Sequence, residues 1–399
     1  MNDHFELMDG HLKKAAIRVI GIGGGGCNTV NQMAQAGIQD VEFIVANTDR
    51  DHLERCIPTN QLQLGPQLTR GLGAGSDPAK GREAAEEDRD RIREMLSGTD
   101  LLFITAGMGG GTGTGAAPVI AQIARELNIL TVAVVTKPFA YEGKKSMVVA
   151  HKGIEDLRQS VDSLILIPNE KLRLVLGGKA TVQEGFKAAN DVLQNAVQGI
   201  SELITCPGLV HVDFADVVTV MSSRGMAMMG LGRASGEDRA QRAVEMALSS
   251  PLLDDLELSG ARGILVNIAC DESLTLDEHM YINERISEIA SDEADMKCGT
   301  SFNPSLDGEL RVTVVATGLN GVKTAQVTAP AMPTLNPKVT LLTPQPVTQM
   351  PKQVDYDKPA IQRADVRRGL MGTSQAAAVL QEFDEEMLSI PAFLRNQAD

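Results

Sequence analysis

The chain has 399 residues, of which 43% are hydrophobic, so it is long enough for two domains with substantial cores. Its formal net charge of −15 and its aromatic content of 3% argue against a surface that binds nucleic acid or anionic membrane. Because its five cysteines form no C-x-x-C pair and no apolar run reaches the roughly 18 residues of a membrane span, we expect a soluble, cytoplasmic protein without direct membrane insertion.

The first half of the chain alternates between apolar strand runs and helical patterns. After a flexible N-terminal extension at 1–16, this alternation continues from 17 to 180. The clearest strands begin at Ile17, Val41, Leu101, Leu130 and Ser163. Such a pattern is typical of a parallel sheet with helices on both faces. We therefore predict an α/β fold whose first domain is a Rossmann-like parallel sheet.

One long central helix is predicted at 181–204, because apolar residues recur there at steps of three and four. They are Val182, Phe186, Ala189, Leu193, Ala196, Ile200 and Leu203. An acidic loop and a helix follow at 205–223, and strand and helix patterns at 224–318 predict a smaller α+β domain. The proline-rich stretch at 319–383 reads as a disordered linker, and 384–399 as a short peptide that regains apolar residues.

A glycine-dense run, Gly107 to Gly115, separates a strand from a helix. Free N–H groups and the helix dipole make that position an anion site, and glycine allows close approach of a phosphate. Thr112 and Thr114 add hydroxyl donors. The run has no lysine, so it is not a P-loop. The alternative is a glycine-rich turn that packs against a neighbouring helix.

A second glycine loop follows the first strand, where Gly21, Gly23 and Gly26 have the G-x-G-x-x-G spacing. A further strand ends in polar residues at 47–49. Several strand ends that converge in this way favour a mononucleotide triphosphate. The alternative function is an NAD-dependent oxidoreductase that uses only the loop from Gly21 to Gly26.

The run "GGGTGTG", Gly109 to Gly115, resembles the signature of the tubulin/FtsZ family, and "VDFADV" and "IPAFLR" follow in the family's order. The resemblance covers roughly Ile17 to Gly318 and the last dozen residues. It implies a GTPase that polymerises head-to-tail into filaments of the cell-division ring. It also implies that GTP or GDP is bound with Mg²⁺ held mainly by the phosphates.

Carried over by position, the resemblance implies nucleotide-binding residues on both glycine loops, at a strand end and on the long helix. They are Gly24, Gly25, Gly26, Cys27, Asn28, Asn47, Asp49, Gly109, Gly110, Gly111, Thr112, Gly113, Thr114, Glu142, Phe186 and Asn190. Glu142 would meet the ribose, and Phe186 and Asn190 the guanine. From the residues alone, Phe186 could equally be a core residue, whereas a helix interior gains little from asparagine.

Asp213 and Asp216 are the candidate catalytic acids, because hydrolysis needs a group that orients water and an i, i+3 pair shares one helical face. In the family this acidic loop completes the nucleotide site of the next subunit, so catalysis would depend on assembly. The alternative is that Asp213 only N-caps a helix that starts at Phe214.

Three positions depart from the family's pattern. Ser146 stands where an arginine contacts the nucleotide, His211 where the acidic loop has asparagine, and Ser389 where the tail has aspartate. The first two departures leave open a second interpretation, a divergent member that binds GTP and co-assembles but hydrolyses slowly.

The tail is predicted to bind partners. Its candidate residues are Leu388, Ile390, Pro391, Phe393 and Leu394. The resemblance implies membrane-tethering and regulatory division proteins as partners, besides self-association. The alternative is a short helix that docks on the chain's own body, but a long tether would then be unnecessary.

Deletion of 389–399 is therefore expected to leave GTP-dependent assembly intact and to abolish binding to a membrane-tethering division protein. Light scattering with GTP and co-sedimentation with the tethering protein measure the two effects. Loss of assembly by the purified, truncated protein would place the tail in the filament body instead.

Overall fold

The computed structural model describes residues 14–319, apart from positions 178, 207, 209, 211, 224, 254–259 and 292. Most of the predicted N-terminal extension, the linker and the tail peptide therefore lie outside the described residues. Among the helices of the described part, none has both the length and the apolar composition that crossing a membrane requires.

Ten strands in the described part form one sheet. They are β1 (Ile17–Ile22), β2 (Val41–Asn47), β3 (Asn60–Gln63), β4 (Leu101–Gly107), β5 (Leu130–Lys137), β6 (Ser163–Pro168), β7 (Gly225–Ser235), β8 (Gly263–Cys270), β9 (Asp295–Phe302) and β10 (Glu309–Leu319). Their order is β3-β2-β1-β4-β5-β6-β7-β10-β8-β9. Strands β1 to β7 are joined by parallel pairs, and β10 pairs antiparallel with β7 and β8.

Twelve α-helices in the described part surround this sheet. They are α1 (Gly23–Gln35), α2 (Arg50–Glu54), α3 (Pro66–Thr69), α4 (Pro78–Glu87), α5 (Arg89–Leu96), α6 (Thr112–Glu126), α7 (Lys144–Arg158), α8 (Asn169–Leu176), α9 (Val182–Thr205), α10 (Phe214–Met221), α11 (Arg239–Leu248) and α12 (Leu276–Ser287). A short 3₁₀ turn, Ala140–Glu142, precedes α7.

The parallel strands are buried on both faces. Six residues of β4 are inaccessible to solvent, as expected where helices cover both sides of a sheet. Val30 of α1 and Leu193 of α9 share one core, whereas Ile120 of α6 belongs to a second. The predicted α/β fold with a parallel-dominated sheet is therefore confirmed.

Helix α9 begins at a capping box. The Thr181 hydroxyl accepts a hydrogen bond from the Glu184 N–H at 3.2 Å, and the Glu184 carboxylate accepts one from the Thr181 N–H at 2.6 Å. Of the predicted apolar face, the five residues from Ala189 onward are buried. Val182 and Phe186 are instead 61% and 43% exposed, so the first turns of α9 offer apolar surface outside the core.

Candidate nucleotide-binding site

The site lies where the strand order reverses, because β2 and β3 extend the sheet on one side of β1 and β4, β5 and β6 extend it on the other. Strand β1 lies between β2 and β4, and the helices that follow β1 and β4 pack in different cores. In open α/β sheets, ligands bind in the crevice outside the carboxyl ends of the strands at such a point. Both glycine loops meet there.

The two glycine loops are in direct contact. A Cβ placed on Gly23 would lie 2.9 Å from the backbone nitrogen of Gly113, and one on Gly25 would lie 3.3 Å from that of Gly107. Helices α1 and α6 begin at these loops with no side-chain cap and no acidic residue in the first turn. Their first N–H groups lack intrahelical acceptors and are available to an anion.

The packing interpretation of the glycine run applies to two of its residues. A Cβ on Gly111 would lie 2.9 Å from the Cβ of Ala74, and one on Gly115 would lie 2.1 Å from the Pro78 carbonyl oxygen, so these two glycines permit close packing on neighbouring chain. At Gly110 a Cβ would meet nothing within 4 Å. Only part of the run therefore leaves room for a ligand.

A cleft of about 250 Å³ opens beside the loops. It brings together five of the predicted residues, which are Gly25, Gly110, Glu142, Phe186 and Asn190. Thr29 of α1 donates to the Asn190 Oδ1 at 2.9 Å. The Phe186 ring meets Phe139 edge-on at 5.5 Å between centroids, which leaves a ring face for stacking.

Glu142 lies in the 3₁₀ turn, where its Oε1 accepts a hydrogen bond from the Phe139 N–H at 2.8 Å. Its second carboxylate oxygen has no hydrogen bond among the described residues. The turn therefore holds an exposed carboxylate at the rim of the cleft, where a hydroxyl group could donate to it.

Asn28 and Asp49 line a separate hollow next to this cleft. Asp49 caps α2 by accepting from the His52 N–H at 3.0 Å, and the buried Asn47 accepts from the Asp49 N–H at 3.3 Å. The hydroxyls of Thr48 and Thr112 are 2.7 Å apart, which joins the end of β2 to the start of α6.

Cys27 is placed differently from the expectation, because its side chain does not line the cleft. The thiol is buried in the core that α1 shares with α9, 3.6 Å from the Gly21 carbonyl oxygen. Burial raises the pKa of the Cys27 thiol, and the neighbouring Cys56 raises it further. Only the backbone of Cys27 can therefore contribute to an anion site.

Asn169, the first residue of α8, lines the cleft and was missed from the sequence. It is 3% exposed, and its Oδ1 has no hydrogen-bond partner among the described residues. Such a buried acceptor is open to a hydrogen bond from a ligand or from water. Its position directly after the apolar run of β6 is the sequence signal that could have identified it.

The two candidate acids lie away from the cleft. Helix α10 does begin at Phe214, but the Asp213 side chain makes no capping hydrogen bond to it. Asp216 pairs with the Lys297 Nζ at 3.2 Å, and this hydrogen bond raises the pKa of Lys297. Phe214 and Val218 line a groove with residues at the amino ends of β4, β5 and β6. The glycine loops lie at the carboxyl ends of the strands, so the groove is on the opposite side of the domain from them.

Two further predicted residues make contacts within the protein: the Thr114 hydroxyl accepts from the Gly109 N–H at 2.9 Å, and a Cβ on Gly26 would lie 2.3 Å from the Thr105 carbonyl oxygen. His211, Ser389 and the five tail residues lie outside the described residues.

Two family domains match most of this chain. Residues 16–177 match the GTPase domain of the Tubulin/FtsZ family, and residues 225–320 match the FtsZ family C-terminal domain. The chain is 51% identical to the cell division protein FtsZ of Azotobacter vinelandii, with 99% of this chain and all of the relative aligned. It is also 51% identical to that of Coxiella burnetii over 98% of both.

Among solved structures, an empty FtsZ dimer from M. jannaschii superimposes with a TM-score of 0.74 at 44% identity. The superposition covers 77% of this chain and 89% of that one.

A negative charge at Gly110 should block anion binding without disturbing the fold, because a Cβ there meets nothing within 4 Å. We expect Gly110→Asp to weaken GTP binding by at least about tenfold through repulsion of the phosphates. Gly260→Asp is the matched control, since Gly260 is equally open. Calorimetric titration with GTP measures both, and unchanged affinity in Gly110→Asp would remove this loop from the phosphate site.

Ser146 lies against the glycine loop, with its carbonyl oxygen 3.0 Å from where a Cβ on Gly109 would be. We expect Ser146→Arg to tighten GTP binding roughly ten- to hundredfold, the value of a charge-assisted hydrogen bond. Val148→Arg, which adds the same charge at an exposed position of the same helix, should have no such effect. Equal affinities in both variants and the unmodified chain would mean that Lys144 or Lys145 already supplies the charge.

Proposed function

This chain belongs to the tubulin/FtsZ family of GTPases, and from that premise we propose that it hydrolyses GTP to GDP and phosphate within head-to-tail filaments of the bacterial division ring. The filaments would form in the cytoplasm at the division site. A GTPase role in cell division is what its relatives' names and its family share. The M. jannaschii relative, described as a dimer, supports self-association.

The cleft suits a guanine nucleotide in one orientation. The base would stack on Phe186 and hydrogen-bond to Asn190, and the ribose hydroxyls would donate to Glu142. The buried Asn169 Oδ1 has no donor among the described residues, and the C2 amino group of guanine could donate to it, whereas adenine has only hydrogen at C2. The phosphates would then lie on the N-termini of α1 and α6, held by backbone N–H groups.

Mg²⁺ would be held mainly by the nucleotide's phosphates. In the described ranges, no group of three or more His, Cys, Asp or Glu side chains is placed to hold a metal ion. Its contribution would be to offset charge on the transferred phosphoryl group.

The position of the acids carries the proposal that the active site is shared between subunits. A strand of seven residues spans about 23 Å, so residues at the amino edge of the sheet cannot reach phosphates at the carboxyl edge. Stacking one subunit on the next would bring Asp213 and Asp216 onto the neighbour's nucleotide, where they would orient the attacking water. Such a contact is heterologous and does not close, and therefore builds a filament.

Each segment of the chain would have a separate function. Residues 17–180 bind GTP, the helix at 181–204 joins them to the rest, the segment 205–223 supplies the acids, and 224–318 forms the α+β part. The segments 319–383 and 384–399, which lie outside the described residues, would tether the filament to membrane-anchoring and regulatory division proteins.

The second candidate is a family member that binds GTP and co-assembles but hydrolyses slowly. Ser146 and His211 favour it, because both stand where the family uses other residues at the nucleotide or in the acidic loop. Phosphate release by the purified protein distinguishes the two, since slow release despite full assembly would support the second.

The decisive test mixes two inactive variants. Asp213→Ala should bind GTP normally but hydrolyse it about a hundredfold or more slowly, because it lacks the acid that orients water. Gly110→Asp, at a GTP concentration below its raised dissociation constant, should bind little GTP but keep its acidic loop. If the site is shared, an equimolar mixture should regain phosphate release. It would do so at each contact where the intact nucleotide pocket of an Asp213→Ala subunit meets the intact acidic loop of a Gly110→Asp subunit.

Asp90→Ala, which removes an exposed acid on α5, is the control and should behave as the unmodified chain. A mixture no more active than the sum of its components, or full activity of Asp213→Ala alone, would contradict the shared site.

A further inference from the structure

The hollow beside the cleft carries two basic residues, His52 and Arg55. It lies at the carboxyl end of β2 and is also lined by Asn28, Asn31, Asp49 and Asp51. No lysine or arginine is among the described residues that line the main cleft. A nucleotide that carries several negative charges would therefore find basic groups next to the cleft on the side where α2 lies.

The imidazole of His52 covers the start of α1. Its Nε2 is 3.2 Å from the Asn28 Oδ1, and its Cε1 and Nδ1 are 3.5 and 3.7 Å from where a Cβ on Gly24 would be. The Nδ1 has no hydrogen-bond partner among the described residues. The backbone is fixed as well, because the His52 N–H is bound by the Asp49 carboxylate.

The order of the contacts around α1 indicates which end of the nucleotide faces His52. Thr29 points to Asn190 on α9, on the side proposed for the base. Asn28, the preceding residue, points to His52 on α2, and adjacent residues are about 100° apart around a helix. A nucleotide whose base lies on α9 would therefore place its terminal phosphate toward α2.

We propose that His52 is a further phosphate-binding residue, whose Nδ1–H donates to the terminal phosphate of GTP and so favours GTP over GDP. This inference rests on the proposed function. In a neutral ring with hydrogen on Nδ1, the Asn28 amide donates to Nε2; in a charged ring, Nε2 donates to the Asn28 oxygen. In both arrangements Asn28 orients the ring. This hydrogen bond would replace part of the nucleotide contact that the family's arginine makes and Ser146 cannot.

The carboxylates on the same rim do not oppose this assignment. Asp49 is engaged in the cap of α2. Asp51 is exposed and sits in the first turn of α2, where a carboxylate is stabilised by the helix dipole. The Arg55 guanidinium, which lines the same hollow, offsets part of their charge.

The test compares the dissociation constants for GDP and for a slowly hydrolysed GTP analogue, GTPγS, measured by calorimetry with Mg²⁺ on the full chain. We expect His52→Ala to weaken GTPγS binding about tenfold and GDP binding less than about twofold, since only the triphosphate loses a hydrogen bond to a charged group. His52→Phe fills the same space over Gly24 without a donor and should give the same loss of selectivity. His52→Gln, which keeps an N–H donor, should restore part of it.

Arg50→Ala is the matched control, because it removes a cation from α2 that is already paired with Glu54 at 2.8 Å. It should leave the ratio of the two constants unchanged. The unfolding midpoint of each nucleotide-free variant shows whether His52→Ala and His52→Phe are folded. The inference would be overturned if a folded variant kept the unmodified ratio of the GDP and GTPγS dissociation constants. It would also be overturned if that variant lost affinity equally for both nucleotides. Failure of the unmodified chain to bind GTPγS would instead overturn the proposed function.

Discussion

Parallel pairing of the first seven strands is the constraint on which the rest of the structure depends. It places every strand-to-helix turn of the first half at one edge of the sheet, so the two glycine loops, Glu142 and Asn169 meet there. It also places the segment that enters β7 at the opposite edge, together with α10 and its acids. A single chain thus carries the two halves of the proposed hydrolytic site about one strand length apart.

Close backbone packing by glycine recurs in both halves of the chain. Gly115 lets α6 lie directly against α4, where a Cβ would come within 2.1 Å of the Pro78 carbonyl oxygen. Gly232 in β7 lets α11 approach in the same way, with a Cβ 1.8 Å from the Ala243 carbonyl oxygen. Because Gly111 and Gly115 are already needed for packing, the density of glycine overstates how much of the loop is free for phosphate.

The sequence predicted the elements whose signal is local. Strands β1, β2, β4, β5 and β6 are where their apolar runs placed them, and α9 follows its apolar spacing. Strand β7 was not identified, since its three glycines weaken a strand pattern, although two of them, Gly230 and Gly232, permit close contact with α11. Strands β3 and β9 were missed too, because the first is short and polar and the second is half-exposed.

For the site, the sequence by itself predicted an anionic ligand, because glycine density between a strand and a helix favours anion binding, and the resemblance of its "GGGTGTG" motif indicated the family. Only the tertiary structure decided which of those residues face a ligand. It placed the Cys27 side chain in the core, left Gly110 open and set His52 over Gly24. It also buried the Asn169 Oδ1 at the cleft with no hydrogen-bond partner among the described residues. These outcomes depend on packing between segments distant in the chain, which no local pattern of residues contains.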